Sequence, residues 1–344
     1  TYNCVNKILE ENIVPEGYEP FVDSLNKMLE LSKILRAYKT KRGCIDFNIE
    51  EAKIVVNDKG EAIDVVLRNR GVGEKMIEDF MIAANDTVAS CIYFMDLPFI
   101  YRVHGEPNEE KINNFLKFIS LLGYKVNGNI KEITPKEMQK LLGQLSEKKE
   151  FSILSRLLLR SMQKAVYDKN NIGHFGIASK CYTHFTSPIR RYPDTTVHRL
   201  LRTYLFKHKI DNDTIDYWNN KLPFLTEHSS NKERDSIECE REVDDMKKAE
   251  YMEKHIGEEY DGMISSIMSF GIFVELANSV EGLIKIDDLT DDTYTFDEAT
   301  FSLRGKKNKR GYRLGDNIRI KVKAANKEAK TVDFVIADNN IKKN

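Results

Sequence analysis

The chain has 344 residues, enough for two domains and a sizeable core. Lys+Arg total 53 against Asp+Glu 54, so net charge alone points to no polyanionic partner. Five scattered cysteines with no Cys-x-x-Cys pair argue against a disulfide framework or a zinc ribbon. The lack of a long apolar run argues against a membrane-spanning chain. The start, Thr1-Tyr2-Asn3-Cys4, has neither signal-peptide organisation nor an initiator Met. A cytoplasmic location is therefore expected, as is a chain that begins inside a larger protein.

Leu25, Met28, Leu29, Leu31, Ser32 and Leu35 recur at helical spacing, with Lys33, Arg36, Lys39, Lys41 and Arg42 on the other side and Gly43 as a stop. Two short strands are predicted over 45–49 and 53–57. Asp58-Lys59-Gly60 then turns into a strand over 63–67, completing a hairpin. Helices are predicted over 73–95 and 108–122. Thr134-Pro135-Lys136-Glu137 opens another, because proline suits the first helical turn. Further helices are predicted over 151–167, 198–206 and 213–254.

At about Gly257 the pattern changes. Strands are predicted over 260–268, 270–276, 281–286, 317–324 and 331–337, separated by Gly, Asn and Asp turns. Five short strands in under ninety residues predict an OB-type barrel. By strand alternation Ile272 and Val274 point inward, whereas Phe273 and Glu275 face out. Phe270 and Phe273 therefore offer aromatic faces for base stacking. The run from Arg304 to Lys330 carries eleven Lys and Arg residues against Asp316 and Glu328, a local basic face suited to phosphates. An acidic run lies just upstream, at Asp287, Asp288, Asp291, Asp292, Asp297 and Glu298. The plainer reading of the basic run is a solvated, lysine-rich edge.

The densest chemistry lies in the segment from Tyr182 to Asp194, which runs into a helix at His198. It packs His184, Thr186, Ser187, Arg190 and Arg191 between aromatics, with Pro188 and Pro193 stiffening the turn. Arginine forks pair with phosphate oxygens and hydroxyls donate beside them, so the segment reads as a phosphate grip; a solvated loop is the alternative. Earlier, Glu78, Met81 and Asn85 share one helical face at i, i+3 and i+7, a carboxylate and an amide that suit a ribose hydroxyl. The alternative there is an acidic pair that merely suits the helix dipole. Cys181 and His184 have one Cys-x-x-His spacing, but no paired second half stands at the spacing a tetrahedral zinc site needs.

These blocks together resemble the ribonuclease II/ribonuclease R (RNB) exoribonucleases, the bacterial ribonuclease R branch most. The segment Tyr182–Asp194 with His198-Arg199-Leu200 is similar to the family signature. Thr1-Tyr2-x-x-Val5, Arg42-Gly43 with Phe47 and Glu51-Ala52-Lys53, and Ile77–Asn85 resemble further family blocks. Residues 269–274, 281–284 and 312–316 resemble the family's S1-type RNA-binding domain. The resemblance implies an α+β chain. Residues 1–256 would be the C-terminal part of an RNB-type catalytic domain, mostly helical with a small sheet. Residues 257–338 would be the S1-type, five-stranded OB barrel, and 339–344 a tail.

The same resemblance implies a processive 3′→5′ exoribonuclease that hydrolyses RNA to nucleoside 5′-monophosphates with two metal ions, Mg²⁺ being expected. It gives Arg190 a phosphate at the cutting site, Glu78 a ribose near the 3′ end, and Tyr2 the choice of ribose over deoxyribose. Phe47 would stack on the terminal bases, Arg191 would touch a neighbouring phosphate, and Glu240 would orient the arginine. His184, Thr186, Ser187, Asn85, Phe270, Phe273 and Lys285 complete the expected RNA contacts; the family usually has histidine where this chain has Lys285. The expected partner is the 3′ end of single-stranded RNA, bound by a monomer.

The family's metal-binding aspartate cluster, Asp-x5-Asp-x-Asp-Asp, has no counterpart here: Asp244-Asp245, Asp287-Asp288 and Asp291-Asp292 are doublets. No metal ligand is therefore expected in this chain. Its ligands are expected before Thr1, and the chain on its own is expected to hydrolyse RNA feebly or not at all. A non-catalytic RNA-binding protein on the same scaffold is the second reading. A plain structural interaction domain accounts for neither the barrel nor the arginine segment.

Overall fold

The computed structural model describes residues 1–47, 51–68, 70–121, 123–124, 134–148, 151–298, 300–307 and 311–337. Expectations falling on 48–50, on 308–310 within the basic run, and on 338–344 lie outside the described residues.

Helix α1 (Tyr2–Glu11) starts where Thr1 Oγ1 accepts from the Cys4 amide at 3.3 Å, and α2 (Val22–Arg42) ends at Gly43. Strands β1 (Glu51–Val56) and β2 (Ala62–Arg68) form the predicted hairpin. Asn57 Oδ1 makes the turn by accepting from the Lys59 and Glu61 amides. Helix α3 (Val72–Phe94) is the long central helix. Its N-terminus meets α1 closely: Gly73 N donates to Asn6 Oδ1 at 2.7 Å, and a Cβ on Gly73 would stand 2.8 Å from that oxygen. A larger residue there would push the Asn6 amide away from this contact.

Strand β3 (Tyr101–Val103), α4 (Glu109–Leu121) and α5 (Pro135–Leu145) follow. The Thr134–Glu137 start is a capping box, with Thr134 Oγ1 accepting from Glu137 N and Glu137 Oε2 from Thr134 N. The predicted helix over 151–167 is shorter. Helix α6 is Phe151–Ser161, and Val166–Asp168 forms β4, which pairs antiparallel with β3. The β-branched Val166 and aromatic Tyr167 suit a strand, and the pairing of Tyr167 with Arg102 outweighs continued helix. Helix α7 (Tyr192–Leu201) ends in a π-helical turn, Arg202–Phe206, and α8 runs from Asn212 to Glu253 through Pro223.

The barrel is closed, with strand order β11-β12-β7-β6-β5 for β5 (Glu259–Met268), β6 (Gly271–Leu276), β7 (Glu281–Lys285), β11 (Asn317–Asn326) and β12 (Thr331–Ile336). Ile272 and Val274 are fully buried, as alternation requires; each such side chain contributes about 1.5–3 kcal/mol by leaving water. Gly282 is fixed by the core, since a Cβ there would lie 2.4 Å from the Phe334 ring. Between β7 and β11 the chain adds a small sheet of β8 (Tyr294–Asp297), β9 (Ser302–Gly305) and β10 (Gly311–Arg313), which the sequence pattern did not predict.

The barrel core is continuous with the rest of the chain: Val65 of β2 and Ala249 and Met252 of α8 belong to the same hydrophobic cluster. Beside them the buried Glu250 joins three elements. It accepts from Ala62 N (3.1 Å), from Lys247 Nζ (2.6 Å), and from Lys327 Nζ of the β11–β12 turn. The two lysines hold its carboxyl at about 2, below its ordinary 4.5. A carboxyl depressed on folding stabilises the fold fully above its unfolded value and loses that contribution as pH falls toward its folded one. The melting temperature is therefore expected to drop between about pH 4.5 and 2, and Glu250→Gln, followed by circular dichroism, should remove part of that drop.

Candidate nucleic-acid interface

Helix α3 organises the site. At its N-terminal end Asn6 of α1 donates to Glu74 Oε2 (2.9 Å), which fixes α1 and with it Tyr2, one turn earlier. Tyr2 is 48% exposed. Glu78 is part-exposed, 3.8 Å from Lys39 Nζ and 3.4 Å from Arg70 Nη1. Both distances exceed those of tight charge-assisted hydrogen bonds, so the carboxylate keeps capacity for a hydroxyl.

Asn85 departs from expectation. It is 2% exposed; its Nδ2 donates to Tyr182 Oη (2.9 Å) and its Oδ1 accepts from Phe185 N (3.0 Å). The amide is spent on clamping the 182–185 segment and has no face for a ribose. Asp79, which the sequence reading passed over, is the buried anchor of this region. It accepts from Ser32 Oγ (2.8 Å), Arg36 Nη2 (2.7 Å) and Lys39 Nζ (3.1 Å). The i, i+4, i+7 spacing of Ser32, Arg36 and Lys39 was the available signal, because it puts all three on one face of α2.

The segment after Tyr182 is built into the sheet edge. Arg102 N donates to Tyr182 O (2.9 Å) and Thr183 Oγ1 to Ile100 O (2.7 Å). His184, expected at RNA, lies instead between Tyr167 and Tyr182, with Nδ1 2.8 Å from Tyr167 Oη. Burial first, and then the Arg191 and Arg102 charges, push its pKa down to about 2, so it is neutral and structural. Arg102 lies 4.7 Å above the opposite ring, Tyr167, and pairs with Glu233 of α8 at 2.6 Å.

Beyond Phe185 the chain emerges. Arg190 N and Arg191 N donate to Ser187 O (3.3 and 3.1 Å), and Thr195 Oγ1 donates to Pro188 O (2.8 Å). On this stiff turn Ile189 is 99% exposed. Arg190 is exposed, and its guanidinium has no partner among the described residues. Arg191, expected at a neighbouring phosphate, turns inward to Asp194 Oδ1 (2.7 Å). Thr186 and Ser187 stand half-buried beside the turn. Arg190 and Arg191 face His228, Lys232, Ser236 and Glu240 of α8 across a cleft of about 720 Å³. Glu240 lines that cleft without a described contact to either arginine.

Phe47, expected to stack on terminal bases, is half-buried and packs against the α4–α6 core behind Ile45, whose amide is tied to Gly176 O (2.9 Å). Part of the basic run near the barrel is paired: Arg319 with Asp261 (3.0 Å), Lys323 with Asp288 (2.6 Å), Lys330 with Glu242 (2.8 Å) and Arg304 with Asp297 (3.2 Å). Lys285 likewise pairs with Asp333 (2.8 Å). The upstream acidic run supplies part of this neutralisation, and exposed pairs of this kind, worth about 0–1 kcal/mol, yield to competing phosphates. Phe270 is 53% exposed and meets Phe273 edge-on at 6.0 Å. Phe273 itself faces a cleft shared with Arg156, Lys248, Glu275 and Asp333. Among the described residues no three His, Cys, Asp or Glu side chains converge as a metal site, and no helix is long and apolar enough to cross a membrane.

An α+β body whose arginine-bearing turn faces a cleft, joined to an OB-type barrel, is an architecture suited to RNA. The chain belongs to the RNB domain family, whose family model matches residues 1–207; the S1 RNA binding domain model matches residues 253–336. It is 43% identical over 335 residues to Ribonuclease R 1 of Lactococcus lactis, covering 97% of this chain and 41% of that protein. It is 42% identical to Ribonuclease R of Thermotoga maritima, covering 98% and 48%. The structure of Mycoplasma genitalium RNase R in complex with ribose methylated single-stranded RNA superposes with a TM-score of 0.92 at 33% identity, covering 98% of this chain and 53% of that one. The chain thus spans about half the length of the relatives it matches.

Proposed function

We propose that this chain supplies the RNA 3′-end grip and the S1-type binding surface of a 3′→5′ exoribonuclease that releases nucleoside 5′-monophosphates, with residues 1–256 and 257–338 as its two working parts. The observation that carries this reading is the unpaired Arg190 guanidinium on a proline-stiffened turn at the mouth of the α7–α8 cleft. There Arg190 holds a backbone phosphate, with the Thr186 and Ser187 hydroxyls beside it. Glu78 accepts from a ribose hydroxyl, the exposed Tyr2 packs against the sugar, and the half-buried Phe47 borders the terminal bases. Phe270 stacks on upstream bases, and Phe273 and Lys285 flank them.

The divalent-metal hydrolysis implied by the family finds no ligand set among the described residues, so no step of this account runs through a metal held by them. What these residues do is bind and orient. On its own the chain is proposed to bind single-stranded RNA and to cut it feebly or not at all. Incubation of the purified chain with Mg²⁺ and end-labelled RNA checks this; rapid shortening would contradict it.

Binding is tested by fluorescence anisotropy on the purified chain. Arg190→Ala should weaken single-stranded RNA binding and reduce the slope of log K against log salt by about 1, as for the loss of one phosphate contact. Phe270→Ala should cost about 1–3 kcal/mol if a base stacks there. Unchanged affinity in both would contradict the reading.

A further inference from the structure

We infer that Asp194 is a positioning residue for the phosphate-binding Arg190, and that Arg191 serves as its internal strut. This rests on the reading of Arg190 given above. Asp194 is fully buried in the first turn of α7, where a carboxylate also suits the positive end of the helix dipole. Its Oδ1 takes two donors at once, Ser187 N at 2.8 Å and Arg191 Nη2 at 2.7 Å. One buried atom therefore ties both ends of the five-residue turn 187–191.

The consequence is a division of labour between neighbouring arginines. Arg191 Nε is buried, so the Nε–Nη2 edge, the one that grips an oxyanion bidentately, is closed to a phosphate. Two guanidiniums side by side would otherwise repel each other in one site. With Arg191 drawn inward by the buried carboxylate, Arg190 is left projecting into the cleft mouth. The unspent Asp194 Oδ2 is also buried without a partner among the described residues. The carboxylate is thus held where its one shared oxygen serves the turn, at the expense of the other.

The test is a double-mutant cycle on this chain, reading affinity and salt slope for a fluorescent single-stranded RNA in EDTA, with melting curves to confirm folding. Arg190→Ala is expected to bind about tenfold more weakly with a salt slope lower by about 1. Asp194→Asn should match it on both counts, although loss of a negative charge by itself would tighten binding to a polyanion. The double variant should bind within about twofold of either single one, because a positioning residue has nothing left to position. Should Asp194→Asn fail to fold, Arg191→Lys, which keeps the charge and loses the fork, carries the same comparisons. Parental or tighter binding by Asp194→Asn, or losses that multiply to about a hundredfold in the double variant, would overturn the inference while leaving Arg190 in place. Parental binding by Arg190→Ala would overturn the phosphate reading and this inference together.

Discussion

Asp79→Ala is expected to destabilise the protein by about 2–3 kcal/mol, below the range for a fully buried ion pair because Arg36 and Lys39 keep some access to water. Asp79 is 3% exposed and neutralises Arg36 and Lys39 while accepting from the buried Ser32. Removing it leaves two cations on the α2 face that packs against α3, together with a hydroxyl stripped of its acceptor. The effect should reach the site as well, because a released Lys39 is free to close on Glu78, now 3.8 Å away. Urea melts followed by circular dichroism measure the loss. A variant within about 1 kcal/mol of the parent would show that the cluster is not the anchor it is taken to be.

Asn85→Ala is expected to cost about 2–4 kcal/mol, because it orphans two groups at once. The Tyr182 hydroxyl and the Phe185 amide both lose their partner, and the segment they hold leads directly to the Arg190 turn. Stability and RNA affinity should therefore fall together in this variant, in contrast to Arg190→Ala, which should lose affinity alone. Parallel melting and anisotropy measurements separate the two patterns. A stable Asn85→Ala protein with parental affinity would remove Asn85 from the account.

The barrel and the hairpin were readable because their signals are local. Alternation set Ile272 and Val274 inward, and an Asn-Asp-Lys-Gly turn set the hairpin. The helix start at Thr134-Pro135 was equally local. What escaped depends on partners distant in sequence. The strand at Val166–Asp168 exists because β3, distant in sequence, offers an edge, and β8–β10 form a sheet from segments too short to show a period. The same holds at the site. Residue type marks Arg190 and Arg191 as equals; the resemblance ranked them, and the physical difference, the fully buried Asp194 three residues on, shows only in the fold. Helical spacing put Asn85 on the face of Glu78, yet the Tyr182–Phe185 segment covers that part of α3. Among the described residues of the basic run, several are taken up by carboxylates brought in by folding, as Lys330 is by Glu242 from α8.

We propose that the exposed Arg190 holds the RNA phosphate at the end that is shortened. The most direct measurement follows 5′-labelled single-stranded RNA on denaturing gels, with Mg²⁺ and the intact protein that carries this chain, comparing parent and Arg190→Ala. A ladder shortening from the 3′ end is expected in the parent, and a rate about a hundredfold or more lower in Arg190→Ala, the scale for losing one preorganised charge contact. Shortening at the parental rate in Arg190→Ala would contradict it.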